Sequence, residues 1–191
     1  MKRVVISLKL ATPPSDEELV ELSERNPGLQ FERMAEGELI VTPTGSEAGG
    51  QEADLVGQLY RWAATDRTGK VFGPSTGFRL ADGSLLSPDA SWLPRKRWEA
   101  LTPAQREGFA PLCPDAVFDI GSSSDALWFL RRKMRAYLAN GARLAVLIDP
   151  KRRAVEIYAP GVEPRVIETA RSVPLDPVLP GFVLDLEPIF A

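Results

Sequence analysis

The sequence predicts a mixed α/β domain, and three observations lead there. Short apolar runs of strand length recur along the chain, as at Ala116, Val117, Phe118 and Ile120 and again over positions 142–148. Two longer segments carry apolar residues at helical spacing: Leu55, Val56, Leu59, Tyr60 and Ala63, then Leu127, Leu130, Met134, Tyr137 and Leu138. Gly, Pro and Asp-Gly turns separate these runs. The resulting order of helix, strand meander, strand, helix and strand implies a mixed β-sheet core flanked by helices. At 191 residues, 44% hydrophobic and 26% charged, the chain suits one domain with short extensions.

The elements follow in order. Met1, Lys2, Arg3, Val4, Val5, Ile6 and Leu8 join positive charge to a short apolar run. That run is too short for a secretory signal and reads as a strand or ordered arm. Pro13 and Pro14 precede a Ser15 cap and the acids Asp16, Glu17 and Glu18, which predicts a helix ending at Asn26, Pro27 and Gly28. Strands are expected over 29–34 and 38–42 around the turn Ala35, Glu36, Gly37. Thr44 and Glu47 form a capping box ahead of the first long helix. Residues 71–72, 76–80 and 85–92 read as strands, and 95–108 as a short helical or irregular excursion. The run at 116–120 is a central strand covered on both faces. Ser123, Ser124 and Asp125 offer caps for the second long helix, and Asn140 and Gly141 end it. Strands at 142–148 and 154–158 flank the turn that begins at Asp149 and Pro150, before a proline-rich tail that wraps the domain.

Composition narrows the chemistry. No apolar run approaches the roughly 20 residues a membrane helix needs. Cys113 is the single cysteine, so intrachain disulfides are impossible, and without histidine to activate it its thiol reads as inert. These features place the protein in the cytoplasm. Histidine is absent, which removes His-dependent triads and His-ligated zinc. The formal net charge of -3 is unlike a dedicated nucleic-acid binder, yet compatible with a local basic patch beside an acidic metal site.

Two acids interrupt apolar runs: Asp89, after Ser87 and Pro88, and Asp119, between Phe118 and Ile120. A carboxylate in a buried strand is costly unless paired. A divalent cation is one such partner, since Mg2+ favours oxygen ligands and often takes only one or two carboxylates. The structural alternatives are a turn cap for Asp89 and an arginine partner for either acid. The basic clusters Arg95, Lys96, Arg97 and Lys151, Arg152, Arg153 read as solvated loops or as backbone contacts to a nucleic acid.

Glu36, Gly37, Glu38, Leu39 and Ile40, then Pro43, Thr44 and Gly45, then Ser87, Pro88 and Asp89 form one ordered set. Cys113 to Asp119, the serine-rich cap, Lys133 with Tyr137, Asn140-Gly141, Ile148-Asp149-Pro150 and Val155 to Tyr158 continue it. Together they resemble the Uma-type family of restriction-endonuclease-like proteins, a branch of the PD-(D/E)XK nuclease superfamily. The resemblance covers about 29–161. It implies a nuclease-like core at 29–161, an N-terminal arm and helix at 1–28, and a C-terminal extension at 162–191 packing on the core.

It also implies roles. Asp89 and Asp119 would be the metal ligands, with Mg2+ as cofactor and Mn2+ as its substitute. Glu38 would be the acid preceding the core. The third motif residue, usually lysine, falls at Gly121, which carries no charge. Positions 119 and 121 share a strand face, so a lysine at 121 would stand beside the metal. Lys133, on the following helix, would supply the basic group instead, or else pack its stem on the core beneath a solvated head. Arg131, Arg132 and Arg135 on the same helix are candidate phosphate contacts. The implied activity is metal-dependent cleavage of DNA phosphodiester bonds; the alternative is a degraded nuclease fold that binds nucleic acid or protein. A homodimer is expected, because two sites suit a two-strand cut and exposed tryptophans would anchor an interface.

Overall fold

In the computed structural model, which describes residues 5–43, 45–121 and 127–191, two β-sheets pack around the long helices. The Met1 to Val4 start, Thr44 of the expected capping box, and the expected caps Ser123, Ser124 and Asp125 lie outside those residues.

The N-terminal part builds a five-stranded antiparallel sheet from β1 (Ile6–Leu8), β2 (Leu29–Arg33), β3 (Leu39–Pro43), β5 (Phe78–Arg79) and β6 (Leu85–Leu86), in the order β1-β3-β2-β6-β5. Helix α1 (Asp16–Arg25) opens with the Ser15/Glu18 capping box, and its Leu19 buries with Phe31, Leu39 and Val41. Six further strands form a second sheet in the order β11-β10-β9-β8-β7-β4. These are β4 (Gly69–Phe72), β7 (Ala90–Pro94), β8 (Ala116–Ile120), β9 (Leu144–Asp149), β10 (Ala154–Tyr158) and β11 (Arg165–Glu168). Within this sheet, among the described residues, β8 and β9 are the pair that runs parallel, and helix α5 (Leu127–Ala139) lies in the crossover that parallel neighbours require.

Two expectations are corrected here. The meander is divided between the sheets: β4 and β7 join the six-stranded sheet, while β5 and β6 join the five-stranded one. The expected strand 85–92 is two strands, β6 and β7, which belong to different sheets. Pro88 explains the break: it has no N–H to give a ladder, so the chain changes sheet there. The strand expected at 76–80 is likewise cut to the two residues of β5, and 95–108 resolves into α3 (Arg95–Glu99) and α4 (Pro103–Glu107).

The six-stranded sheet is covered on both faces. Helix α2 (Ser46–Asp66) and the C-terminal segment, with β12 (Ser172–Pro174) and β13 (Val183–Asp185), lie on one face. There Leu55 and Leu59 meet Phe118, Ile120, Val146, Leu184 and Ile189. Trp92 packs into the same layer, and its indole nitrogen would stand 2.2 Å from any Cβ at position 69, so that strand needs Gly69. On the other face α5 and the five-stranded sheet meet Val117, Ala145 and Leu147 through Phe129, Met134 and Ile40. Alternation therefore sends Val117 and Asp119 toward α5, while Phe118 and Ile120 face α2. A charged residue in this fully buried strand must find its partner between the sheet and α5.

Candidate active site

That partner is Lys133. Its Nζ donates to Asp119 Oδ1 at 3.0 Å and to the Ser87 carbonyl at 2.8 Å, and it pairs with Glu32 Oε1 at 2.9 Å. An ammonium has three protons, and here each has an acceptor. The lysine is 2% exposed, so its stem and its head are both inside the protein. Burial works against its charge, but the carboxylates of Asp119, Glu32 and Asp89 outweigh burial and hold its pKa above the ordinary lysine value.

Asp89 and Asp119 are cross-linked through the backbone. Asp89 Oδ2 accepts from the Ile120 amide at 2.7 Å, and the Asp89 amide donates to Asp119 Oδ1 at 3.3 Å. Both sit at the β7–β8 pairing, where Ala90 stands opposite Phe118. Burial, then the facing Asp119 charge, push Asp89 up to about 8. Burial also raises Asp119, to about 6, against the pull of Lys133. The pair titrates as a unit, and near neutral pH it retains a proton that two isolated aspartates would have lost. Asp119 Oδ2 is buried and has no hydrogen-bond partner among the described residues. Such an orphan is uncommon and calls for an explanation.

The structure brings Asp89, Asp119 and Lys133 together and puts Glu38 elsewhere. Glu38 accepts from the Ser7 hydroxyl and pairs with Arg132, one residue from the lysine. Burial raises its pKa, but the Ser7 and Arg132 contacts outweigh that and hold it below the usual carboxylate range. Arg131 is also engaged, donating to Glu156 at 2.5 Å. Arg135 alone of the three candidate phosphate arginines is exposed and without an ion pair among the described residues. Arg97 pairs with Asp115, and Arg152 lies 3.3 Å from Glu168, so each basic cluster has at least one cation in an ion pair.

At the expected lysine position, Gly121 continues β8 by donating to the Ile148 carbonyl at 2.7 Å. A Cβ there would meet Leu127 and Leu130 of α5 at 3.4 and 3.6 Å. A Cβ at 121 would thus sit in ordinary contact with the apolar side of α5, and the same helix delivers Lys133 to Asp119.

Sequence reasoning missed two acids. Glu32 is 2% exposed in β2, where it pairs with Ile40 and so shares the face turned to α5. The alternation of Gln30, Glu32 and Arg33 with Leu29 and Phe31 makes this strand read as half solvated; Met34, on the same side as Glu32, was the one hint otherwise. Glu52 is 8% exposed on α2 and adds to the charge that raises Asp89.

The donors fit a hard divalent cation. Oxygen is the donor, two carboxylates repel each other, and one buried oxygen is unused. Among the described residues no three His, Cys, Asp or Glu side chains group tightly enough to ligate a metal. A cation here would rest on Asp89 and Asp119 and take its other ligands from water and phosphate.

Comparison with known proteins bears on the family and the fold. The family model Uma2, described as "Putative restriction endonuclease", matches residues 16–187. No curated protein matches the chain. Among solved structures, a nuclease described as putative and as belonging to DUF820, from Anabaena variabilis, superposes with a TM-score of 0.73. It is 20% identical over 93% of this chain and 98% of its own, which shows a shared restriction-endonuclease-like fold. No helix among the described residues is long and apolar enough to cross a membrane.

Proposed function

We propose that this chain, which belongs to the Uma2 family of restriction-endonuclease-like proteins, is a metal-dependent endonuclease that hydrolyses DNA phosphodiester bonds. The observation that carries the reading is the buried set of Asp89, Asp119 and Lys133, with one carboxylate oxygen of Asp119 unpartnered. Asp89 and Asp119 would hold Mg2+, or Mn2+ in its place. The metal would polarise a phosphate oxygen and lower the pKa of a bound water. Asp89 is fixed by the Ile120 amide and Asp119 by Lys133, so neither carboxylate needs to reorganise when it takes up a ligand. The Lys133 ammonium offsets the negative charge that two aspartates and a phosphate would otherwise concentrate in a dry pocket. Exposed Arg135 is the α5 cation free to meet a DNA backbone.

The test is nicking of supercoiled plasmid with Mg2+ and then Mn2+, comparing wild type with Asp89→Asn. Metal-dependent nicking that the variant lacks supports the reading. Nicking that survives the substitution removes Asp89 from the chemistry.

A second reading has its own observation. Every Lys133 proton is already donated within the protein, and position 121 carries no side chain. A nuclease fold that binds nucleic acid or protein without turnover accounts for both. It predicts DNA retention at low salt without nicking. We also keep a homodimer as a proposal. Trp128, 56% exposed at the start of α5, is its candidate anchor, whereas Trp92 is buried; sedimentation of the Trp128→Ser variant against wild type tests it.

A further inference from the structure

We infer that Glu32 is the positioning residue of this site: it holds Lys133 and the loop carrying Asp89 in place, and it is not itself a metal ligand. The inference rests on the nuclease reading for its kinetic consequence alone.

A single oxygen carries the argument. Glu32 Oε1 lies 2.9 Å from Lys133 Nζ and accepts from the Ser87 amide at 2.6 Å. The Ser87 carbonyl in turn accepts from Lys133 at 2.8 Å. Glu32, Ser87 and Lys133 therefore close a ring of three contacts. Two of the lysine's three protons are committed to that ring, and the third falls on Asp119. The ring joins three separately folded pieces. Glu32 comes from the five-stranded sheet, Lys133 from α5, and Ser87 from the crossing between the two sheets, two residues before Asp89. Where Lys133 stands against Asp119, and where Asp89 enters the site, both depend on the Glu32 carboxylate.

The same geometry argues against Glu32 as a ligand. Its charge is already met by the lysine, and Oε1 has two donors. Among the described residues, Asp119 Oδ2 is a buried carboxylate oxygen without a hydrogen-bond partner, and neither Glu32 oxygen is. A cation seated on Glu32 would have to displace the ammonium, and the ammonium would then be buried without its counter-charge. Removing Glu32 alone releases the lysine head to slide along the Asp119 carboxylate. A displacement of about 1 Å at a reacting centre is enough to cost on the order of a hundredfold in rate.

The test is a double-mutant cycle of Glu32→Gln and Lys133→Met in the full chain, read in three ways. In thermal melts, Lys133→Met alone strands Glu32 and Asp119 as buried charges, so the double variant melts higher than that single variant. For Mn2+ binding, Glu32→Gln stays within about threefold of wild type, while Asp89→Asn weakens binding tenfold or more. In plasmid nicking, Glu32→Gln lowers kcat tenfold or more with little change in the KM for DNA, and has no further effect in the Lys133→Met background. A purely structural role would lower the melting temperature without this split. Weakening of Mn2+ binding by Glu32→Gln to the level of Asp89→Asn would make Glu32 a ligand and overturn the inference. Fully additive effects on melting would overturn it too. If wild type does not nick DNA, the nuclease reading fails, and the melting cycle and Mn2+ binding still decide the role of Glu32.

Discussion

Helix α5 carries three basic residues in a row, and each meets a carboxylate in different surroundings. Arg131 and Arg132 keep 39% and 33% of their side chains exposed while they pair with Glu156 and Glu38. Lys133 keeps 3% and pairs with Glu32 and Asp119, which are as deeply buried. The arginine pairs are partly wet, so water competes with each contact and screens it. The lysine cluster is dry, and there removing one partner leaves a charge that water cannot reach. The same charge along three consecutive residues gives surface ties at two positions and a buried cluster at the third. Which residue became which follows from the helical turn: Lys133 faces the sheet with Phe129, Met134 and Tyr137, and the arginines flank that face.

The comparison breaks most visibly at Lys133. Lys133→Met is expected to cost about 3–5 kcal/mol, because Glu32 and Asp119 lose their only buried cation. For a chain of this size that lowers Tm by ~10 °C. Arg131→Met is expected to cost less, since buried Glu156 keeps Arg152 at 3.7 Å and the Tyr158 hydroxyl at 2.6 Å when the arginine is removed. Equal losses in parallel calorimetric melts would erase the distinction between the two environments.

The acid pair supplies the next effect, and its sign is opposite to that of an ordinary surface carboxylate. Asp89 and Asp119 sit near 8 and 6 in the fold, against 3.8 for an unperturbed aspartate. The folded protein therefore holds protons that the unfolded chain has already released. Stability from this source is present at low pH and lost as pH rises from about 4 to 8. Metal-free protein should thus melt several degrees lower at pH 8 than at pH 6, and Mg2+ or Mn2+ should restore the difference by taking the proton's place. Asp89→Asn should flatten the metal-free profile. A wild-type profile already flat over that range would mean the pair does not share its proton as described.

Much of the fold was legible because the pattern is local. The Ser15/Glu18 box, the helical spacing of α2 and α5, and the apolar runs of β8 and β9 each announce their own element. Asp89 and Asp119 stood out for the same reason, as charges inside apolar runs. What escaped depends on neighbours distant in sequence. Glu32 lies in a strand that alternates like a half-exposed one, and nothing local says that α5 will cover its polar side. The expected strand 85–92 was split by a change of sheet that only tertiary packing defines. Glu38 entered as a site acid only through the family resemblance. One step of alternation separates its carboxylate from Leu39, and Arg132 and Ser7 claim it.

The smallest effect belongs to that last residue, and it sharpens the contrast between the two kinds of pair. Ser7 and Arg132 depress the Glu38 pKa in the fold. A depressed carboxylate stabilises above its unfolded pKa, and that contribution fades as pH falls from about 4.5 through the lower folded value. Glu38→Gln is therefore expected to cost about 1 kcal/mol near neutral pH, because Arg132 is a third exposed. The cost should shrink toward zero below pH 4. Plasmid nicking by the variant, measured beside wild type at neutral pH, should stay within about threefold, since Glu38 touches none of Asp89, Asp119 and Lys133. A loss of nicking comparable to that of Asp89→Asn would place Glu38 in the site after all, and would mean that Arg132 gives up its surface tie when DNA is bound.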